Sequence, residues 1–286
     1  MVITRVQWDE LDGRIRQDIH REIGPVLRAE TVAAGFNSEL AAVVHTADGR
    51  RYFVKGLRTS HPSARGQERE KRINPYVRGL SARLLWSLES AGWSLLGFEY
   101  LEGEHASYGP GSADLALVAE AMAAVGEITC PDVPVKFAEQ RWSAYTDGDA
   151  LLFRGNALLH TEWNPTNTLI VRAPAPHARV VDWAWPTRGA AWIDPACWVV
   201  WLIAGGHTPS QAEQWAAKVP AWSTATGDHL AAFALVQARL WEAIRQASPS
   251  PWEEQLACAA AEWAQHRGRS RHRLTRSSAM KVTRKM

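Results

Sequence analysis

The stretch Leu159-His160-Thr161-Glu162-Trp163-Asn164-Pro165-Thr166-Asn167-Thr168-Leu169-Ile170-Val171, answered by Val180-Val181-Asp182-Trp183, decides how this chain reads. A carboxylate, Glu162, stands five residues before an amide, Asn167. A short run of β-formers follows, then a turn holding Pro174 and Pro176, then a second apolar run ending in Asp182. Two such runs joined by such a turn read as a hairpin, which carries Asp182 back beside Asn167. Three oxygen-bearing side chains then gather in one place. Hard oxygen donors of this kind suit Mg²⁺, which takes one or two protein ligands and fills its shell with phosphate oxygens and water.

Upstream, the periodicity predicts a helix over 8–23, where Leu11, Ile15, Ile19 and Ile23 form one apolar stripe that Gly24-Pro25 ends. Three strands follow, over 26–32, 39–46 and 51–57, with Gly35-Phe36-Asn37-Ser38 as the first turn and Asp48-Gly49 as a tight hairpin. Gly35 permits close backbone approach, so the amides of this turn can face phosphates. Lys55 interrupts an otherwise apolar strand, Tyr52-Phe53-Val54-Lys55, either as a solvated side chain or as a functional cation. Residues 63–73 read as a charged helix carrying Glu68 and Glu70, and 82–89 with 93–100 as a second hairpin. From Ser112 the pattern turns helical, with helices read at 115–125, 136–145, 195–206, 208–219, 228–247 and 251–266.

This order resembles the aminoglycoside phosphotransferase family, small-molecule kinases with a protein-kinase-like fold, over about residues 5–265. The family's loop reads His-Gly-Asp, then an Asn, then Ile/Val-Asp-Trp. His160, Asn167, Asp182 and Trp183 match it, and Glu162 stands where the family has Asp. The resemblance implies an α+β, two-lobed fold: a five-stranded antiparallel sheet with helices at 1–100 and a mostly helical catalytic and acceptor lobe at 101–266. It implies ATP and Mg²⁺ as cofactors, with Asn167 and Asp182 as metal ligands. Lys55 would hold the α/β-phosphates, braced by Glu70, with Glu68 as the rival brace. Gly35, Asn37 and Ser38 would border the phosphates, and the backbone of the hinge from Glu99 to Leu101 would meet the adenine. Glu162 would be the catalytic base, His160 would order its loop, and Asp194 would brace that loop.

Asp and Glu ionise alike, at about 3.9 and 4.3, so Glu162 differs from the family's residue in reach and not in charge. A misplacement of about 1 Å costs roughly 100-fold. The expectation is transfer of the γ-phosphate from ATP to a hydroxyl of a small molecule, an aminoglycoside-like amine among the candidates. The alternative is a nucleotide-binding regulator in which Glu162 marks lost chemistry.

The bulk numbers narrow the setting. A chain of 286 residues with 46% hydrophobic and 22% charged content can bury a sizeable core. No apolar run long enough for a transmembrane helix and no signal-peptide core is read, and three dispersed cysteines fit neither a disulfide framework nor a zinc site, so a reducing cytoplasm is expected. The net charge of +2 hides an asymmetry: residues 267–286 carry eight Lys/Arg and no acid, leaving an acidic body. That body favours a cationic acceptor. The basic tail is expected to be disordered, and it is the one route by which nucleic acid would bind. Fifteen tryptophans, most in helical stretches, read as core packing.

Overall fold

The computed structural model describes the backbone of residues 4–32 and 38–283, and side chains as far as residue 269. Two compact units divide the chain. The first comprises Met1–Ala106, Pro131–Val135 and Pro165–Pro186, and the second Ser107–Cys130, Lys136–Asn164 and Thr187–Met286.

The first unit is built on β1 (Val26–Thr31), β2 (Leu40–Thr46), β3 (Arg51–Arg58), β4 (Leu84–Ser90) and β5 (Trp93–Glu99). They form one antiparallel sheet in the order β1-β2-β3-β5-β4. Side chains alternate across a pleated sheet, so each strand has two faces. Leu40, Ala42, Val44, Tyr52, Val54, Trp93 and Leu95 turn to one side and meet Ile15, Ile19 and Ile23 of α1 (Gly13–Ile23). The odd positions Ala41, Val43, Phe53 and Lys55 therefore face the other way, with Ala41 opposite Lys55 and Lys55 opposite Leu96 in register. A lysine on that face is decided by this alternation.

α2 (Ala64–Ile73) buries Gly66, Gln67, Glu70 and Ile73, one stripe at helical spacing. Beyond β5 a second sheet orders β6 (Gly103–His105), β9 (Thr168–Val171) and β10 (His177–Val180) as β10-β9-β6. A Cβ on Gly103 would come within 2.8 Å of the Ile170 carbonyl oxygen, so only glycine lets β6 approach β9 this closely. That pairing draws 165–186 into the first unit.

The second unit is mostly helical: α3 (Asp114–Gly126), α4 (Ala138–Arg141), α5 (Ile193–Ala204), α6 (Pro209–Ala216), α7 (Gly227–Ala247) and α8 (Pro251–Thr283). β7 (Lys136–Phe137), β8 (Ala157–Leu159) and β11 (Thr187–Gly189) form a small sheet in the order β7-β11-β8. Trp142, Phe153, Trp192 and Phe233 pack edge to face at its core, with ring centroids 5.0–6.2 Å apart. The tryptophan count is core packing here. No helix among the described residues is long and apolar enough to cross a membrane.

Four local expectations change. The helix read over 8–23 is split: Trp8–Glu10 is a 3₁₀ turn, and Asp12 restarts the chain as an N-cap, accepting from the Arg14 amide at 2.8 Å. The helix read over 136–145 is β7, the four-residue α4 and a further 3₁₀ turn, because Lys136 and Phe137 pair with β11 instead. No strand is read between 100 and Ser112, yet β6 forms there, its partner β9 more than sixty residues on. Finally, α8 runs to Thr283, through the stretch expected to be disordered; that stretch is rich in good helix formers and has no proline.

Candidate active site

Lys55 and two carboxylates form the centre of the first unit. The Lys55 ammonium pairs with Glu70 and donates to Asp182 Oδ1 at 2.9 Å. α2 supplies Glu70 from the same face as Gln67, whose Nε2 donates to the Lys55 carbonyl at 3.2 Å. Arg69 Nε fastens α2 to the chain after Asp182, donating to the Ala184 carbonyl at 3.0 Å. Glu70 also accepts the Trp183 backbone N–H. Glu68, the rival brace, points outward and pairs with Arg72 at 2.6 Å.

Burial alone would lower the Lys55 pKa, but the Asp182 and Glu70 charges outweigh it and hold the ammonium above its ordinary value. Burial raises the Glu70 carboxyl against the pull of Lys55. The triad is one cation and two carboxylates, so it is poised to accept a further positive charge.

The hairpin delivers Asp182. β9 and β10 pair from Val171 opposite His177 to Thr168 opposite Val180, and the Val181 N–H donates to the Asn167 carbonyl at 2.9 Å. Asp182 follows at φ +63, a left-handed turn that aspartate tolerates better than bulkier residues do. Lys55, Glu70, Asn167 and Asp182 line one cavity of about 250 Å³. Much of the rest of its wall is apolar, with Ala41, Val43, Phe53, Phe98 and Leu169 among the lining residues, and Arg5, Ser38, Ser81, Glu99, Leu101, His105 and Thr166 also line it. The Glu99 amide is spent on the Arg83 carbonyl at 2.9 Å, and its side chain accepts the Arg83 N–H at 2.9 Å. Gly35 and Asn37 lie outside the described residues.

Asn167 and Asp182 are hard oxygen donors on one wall. No group of three or more His, Cys, Asp or Glu able to hold a metal occurs among the described residues. The pair fits a cation such as Mg²⁺ that completes its shell with phosphate oxygens and water, and does not fit a metal needing a full protein cage.

Glu162 and His160 belong to the second unit, in the loop after β8. Asp194, in the first turn of α5, is buried and accepts the His160 N–H at 2.9 Å and the Thr161 N–H at 2.8 Å. Burial pushes its carboxyl up to about 6, against those two donations. His160 Nδ1 accepts the Glu162 N–H at 3.3 Å, and the His160 ring packs against Trp163 with centroids 5.7 Å apart.

Thr161 stands at φ +68, where a β-branched residue is strained and glycine is not. Its hydroxyl donates to the His160 carbonyl at 2.6 Å and accepts from Arg141 Nη1 at 2.5 Å; the same nitrogen donates to Thr187 Oγ1 at 3.0 Å. The strained turn is thus held by hydrogen bonds that glycine could not make.

Sequence reasoning passed over Arg5 and Arg141. Neither sits in a motif. For Arg141 a signal existed: a threonine occupies the place of the family's glycine, which calls for a compensating donor.

No protein-family model and no curated protein matches the chain. Solved structures do. A macrolide 2'-phosphotransferase type I is similar at a TM-score of 0.55 and 18% identity, over 91% of this chain and 99% of that one. The choline kinase LicA from Streptococcus pneumoniae gives 0.60 and 13%, over 87% and 98%. A thermostable mutant of aminoglycoside phosphotransferase APH(4)-Ia, in a ternary complex with AMP-PNP and hygromycin B, gives 0.55 and 14%, over 87% and 99%. At such identities the likeness speaks to architecture: this chain has the kinase-like α+β fold of these phosphotransferases and choline kinase.

Proposed function

We propose that this chain is an ATP- and Mg²⁺-dependent phosphotransferase acting on a hydroxyl of a small molecule. The observation that carries the reading is the Lys55–Glu70–Asp182 triad, its lysine and glutamate buried, lining one largely apolar cavity with Asn167. Phosphoryl transfer needs positioning and charge neutralisation more than covalent chemistry, and these are the groups for both.

In this reading the adenine lies among Ala41, Val43, Phe53 and Phe98, against the backbone from Glu99 to Leu101. Lys55 binds phosphate oxygens while Glu70 fixes its position. Asn167 and Asp182 hold the Mg²⁺, which neutralises phosphate charge when bound. Ser38, at the end of the first turn, borders the phosphates. Glu162 orients the acceptor hydroxyl and takes its proton as the oxygen attacks the γ-phosphorus. His160 and Asp194 fix the loop that carries Glu162.

The similar structures are named for a macrolide and for choline, and one holds hygromycin B in a ternary complex with AMP-PNP. The acidic body of this chain favours a cationic one, and we place hydroxylated amines, aminoglycoside-like compounds included, first. Three cysteines without a disulfide, together with a need for ATP, fit the cytoplasm.

The test is ADP release from ATP and Mg²⁺ across a panel of hydroxylated amines, macrolides and sugars. Acceptor-dependent release, absent in Asp182→Asn, supports the proposal. ATP binding without release on any acceptor turns the reading to the nucleotide-binding regulator.

A further inference from the structure

Between the hinge that meets the base and the groups that meet the phosphates, β6 forms part of the cavity wall. Its place is set by pairing. Gly103 lies opposite Val171, Glu104 opposite Ile170 and His105 opposite Leu169. Residues opposite each other in an antiparallel ladder share a face, and successive residues alternate. Leu169, Gly103 and His105 accordingly line the cavity, while Glu104 turns away and pairs with Arg172 at 3.2 Å. The Ala106 N–H donates to the Thr168 carbonyl at 2.9 Å, which fixes the register just beyond His105.

This register puts the His105 ring between the two ends of the cavity. From Leu101 the chain leads through β6 towards Asn167. At roughly 3.3 Å per residue, His105 lies at most about 13 Å past Leu101. It stands opposite Leu169, two positions after Asn167. A nucleotide with its base at the hinge and its phosphates at Lys55, Asn167 and Asp182 therefore has its sugar beside β6. A ribose offers two neighbouring hydroxyls, each a donor and an acceptor. A neutral imidazole carries one donor and one acceptor, so either tautomer can bond one of them. The His105 imidazole has no hydrogen bond, ion pair or ring contact among the described residues, and the residue is exposed at the cavity rim. The strand is held by main-chain pairing, so the ring is not needed to keep β6 in place.

We propose that His105 recognises the ribose of the nucleotide, its imidazole hydrogen-bonding the 2′- or 3′-hydroxyl. The inference rests on the nucleotide reading of the cavity given above and adds a sugar-binding residue to it.

The test is calorimetric titration of the full chain, with Mg²⁺ present, using ATP and 2′,3′-dideoxyATP. Wild type binds ATP about 3- to 10-fold tighter than the dideoxy compound, the usual worth of a neutral hydrogen bond. His105→Ala lowers ATP affinity to that of the dideoxy compound and leaves dideoxyATP binding unchanged, so the preference disappears. His105→Gln, which keeps a donor and an acceptor, retains part of it. Wild type that binds the two alike, ATP affinity unmoved by His105→Ala, or equal weakening of both ligands overturns the proposal. Wild type that binds neither compound overturns the nucleotide reading itself, a result distinct from the selective loss expected here.

Discussion

Lys55 Nζ donates to Asp182 Oδ1 at 2.9 Å, joining residues 127 positions apart in the chain. The contact ties the third strand of the large sheet to the end of a distant hairpin, and Glu70 closes it from the side. Position of the cation and position of the proposed metal ligand are thus set by one contact.

Removing the cation should cost more than removing an ordinary surface charge. Lys55→Met leaves Glu70 and Asp182 without their partner, and such losses cost about 3–5 kcal/mol. Urea unfolding should show that drop, and adding Glu70→Gln should recover part of it while transfer activity stays absent. A loss under about 1 kcal/mol would mean the triad is solvated.

Thr161 reverses a usual preference. Glycine is ordinarily less stable than alanine by about 0.5–1 kcal/mol in regular structure, but at φ +68 alanine keeps the strain and glycine sheds it. Both Thr161→Gly and Thr161→Ala lose the hydroxyl bonds to Arg141 and His160. Chemical denaturation should therefore rank the Gly variant above the Ala variant by about 1 kcal/mol. The opposite order would show that the turn is not left-handed.

Asp194 makes stability depend on pH. Burial raises its folded-state pKa to about 6, from an ordinary 3.8. Between those values the folded chain holds the proton more tightly than the unfolded chain. The stabilisation this brings is therefore present at the acid end and is lost as pH rises through about 6. The slope is at most about 1.4 kcal/mol per pH unit. The stability difference between wild type and Asp194→Asn should shrink in that direction from pH 4 to 6 and level off above. A difference that is flat or grows would contradict it.

Glu162 is separable from binding. Glu162→Gln should lower kcat by about 10² to 10⁴, the usual worth of a positioned base, while the ATP dissociation constant stays within twofold. Glu162→Asp, which keeps the charge and shortens the reach, should retain more turnover than Gln. Unchanged turnover in both variants would remove Glu162 from the chemistry.

Much of the first unit was legible because its signals are local. Alternation through 40–58 sets one face against α1 and puts Lys55 on the other, and the Pro-bearing turn between β9 and β10 announces the hairpin. Glu70 against Glu68 needed coordinates, since both lie on a charged helix and the face of α2 decides between them. β6 was hidden because three polar residues form a strand only when β9 is there to pair with. The break in 136–145 was hidden for the same reason, since β7 exists through β11. Arg5 carries no local mark at all: its place in the cavity follows from the Val6 main-chain bond to Glu39 and from its own side-chain bond to the Ser38 carbonyl, which no pattern of residues encodes.

The most direct test of the central claim is the ATP dissociation constant, measured with Mg²⁺ and with EDTA, in wild type and in Asp182→Asn. Convergence of Lys55, Asn167 and Asp182 on one magnesium–triphosphate requires Mg²⁺ to tighten wild-type binding at least about tenfold, a charge-assisted contact's worth, and Asp182→Asn to abolish that gain. An ATP affinity indifferent to both the metal and the substitution would contradict it.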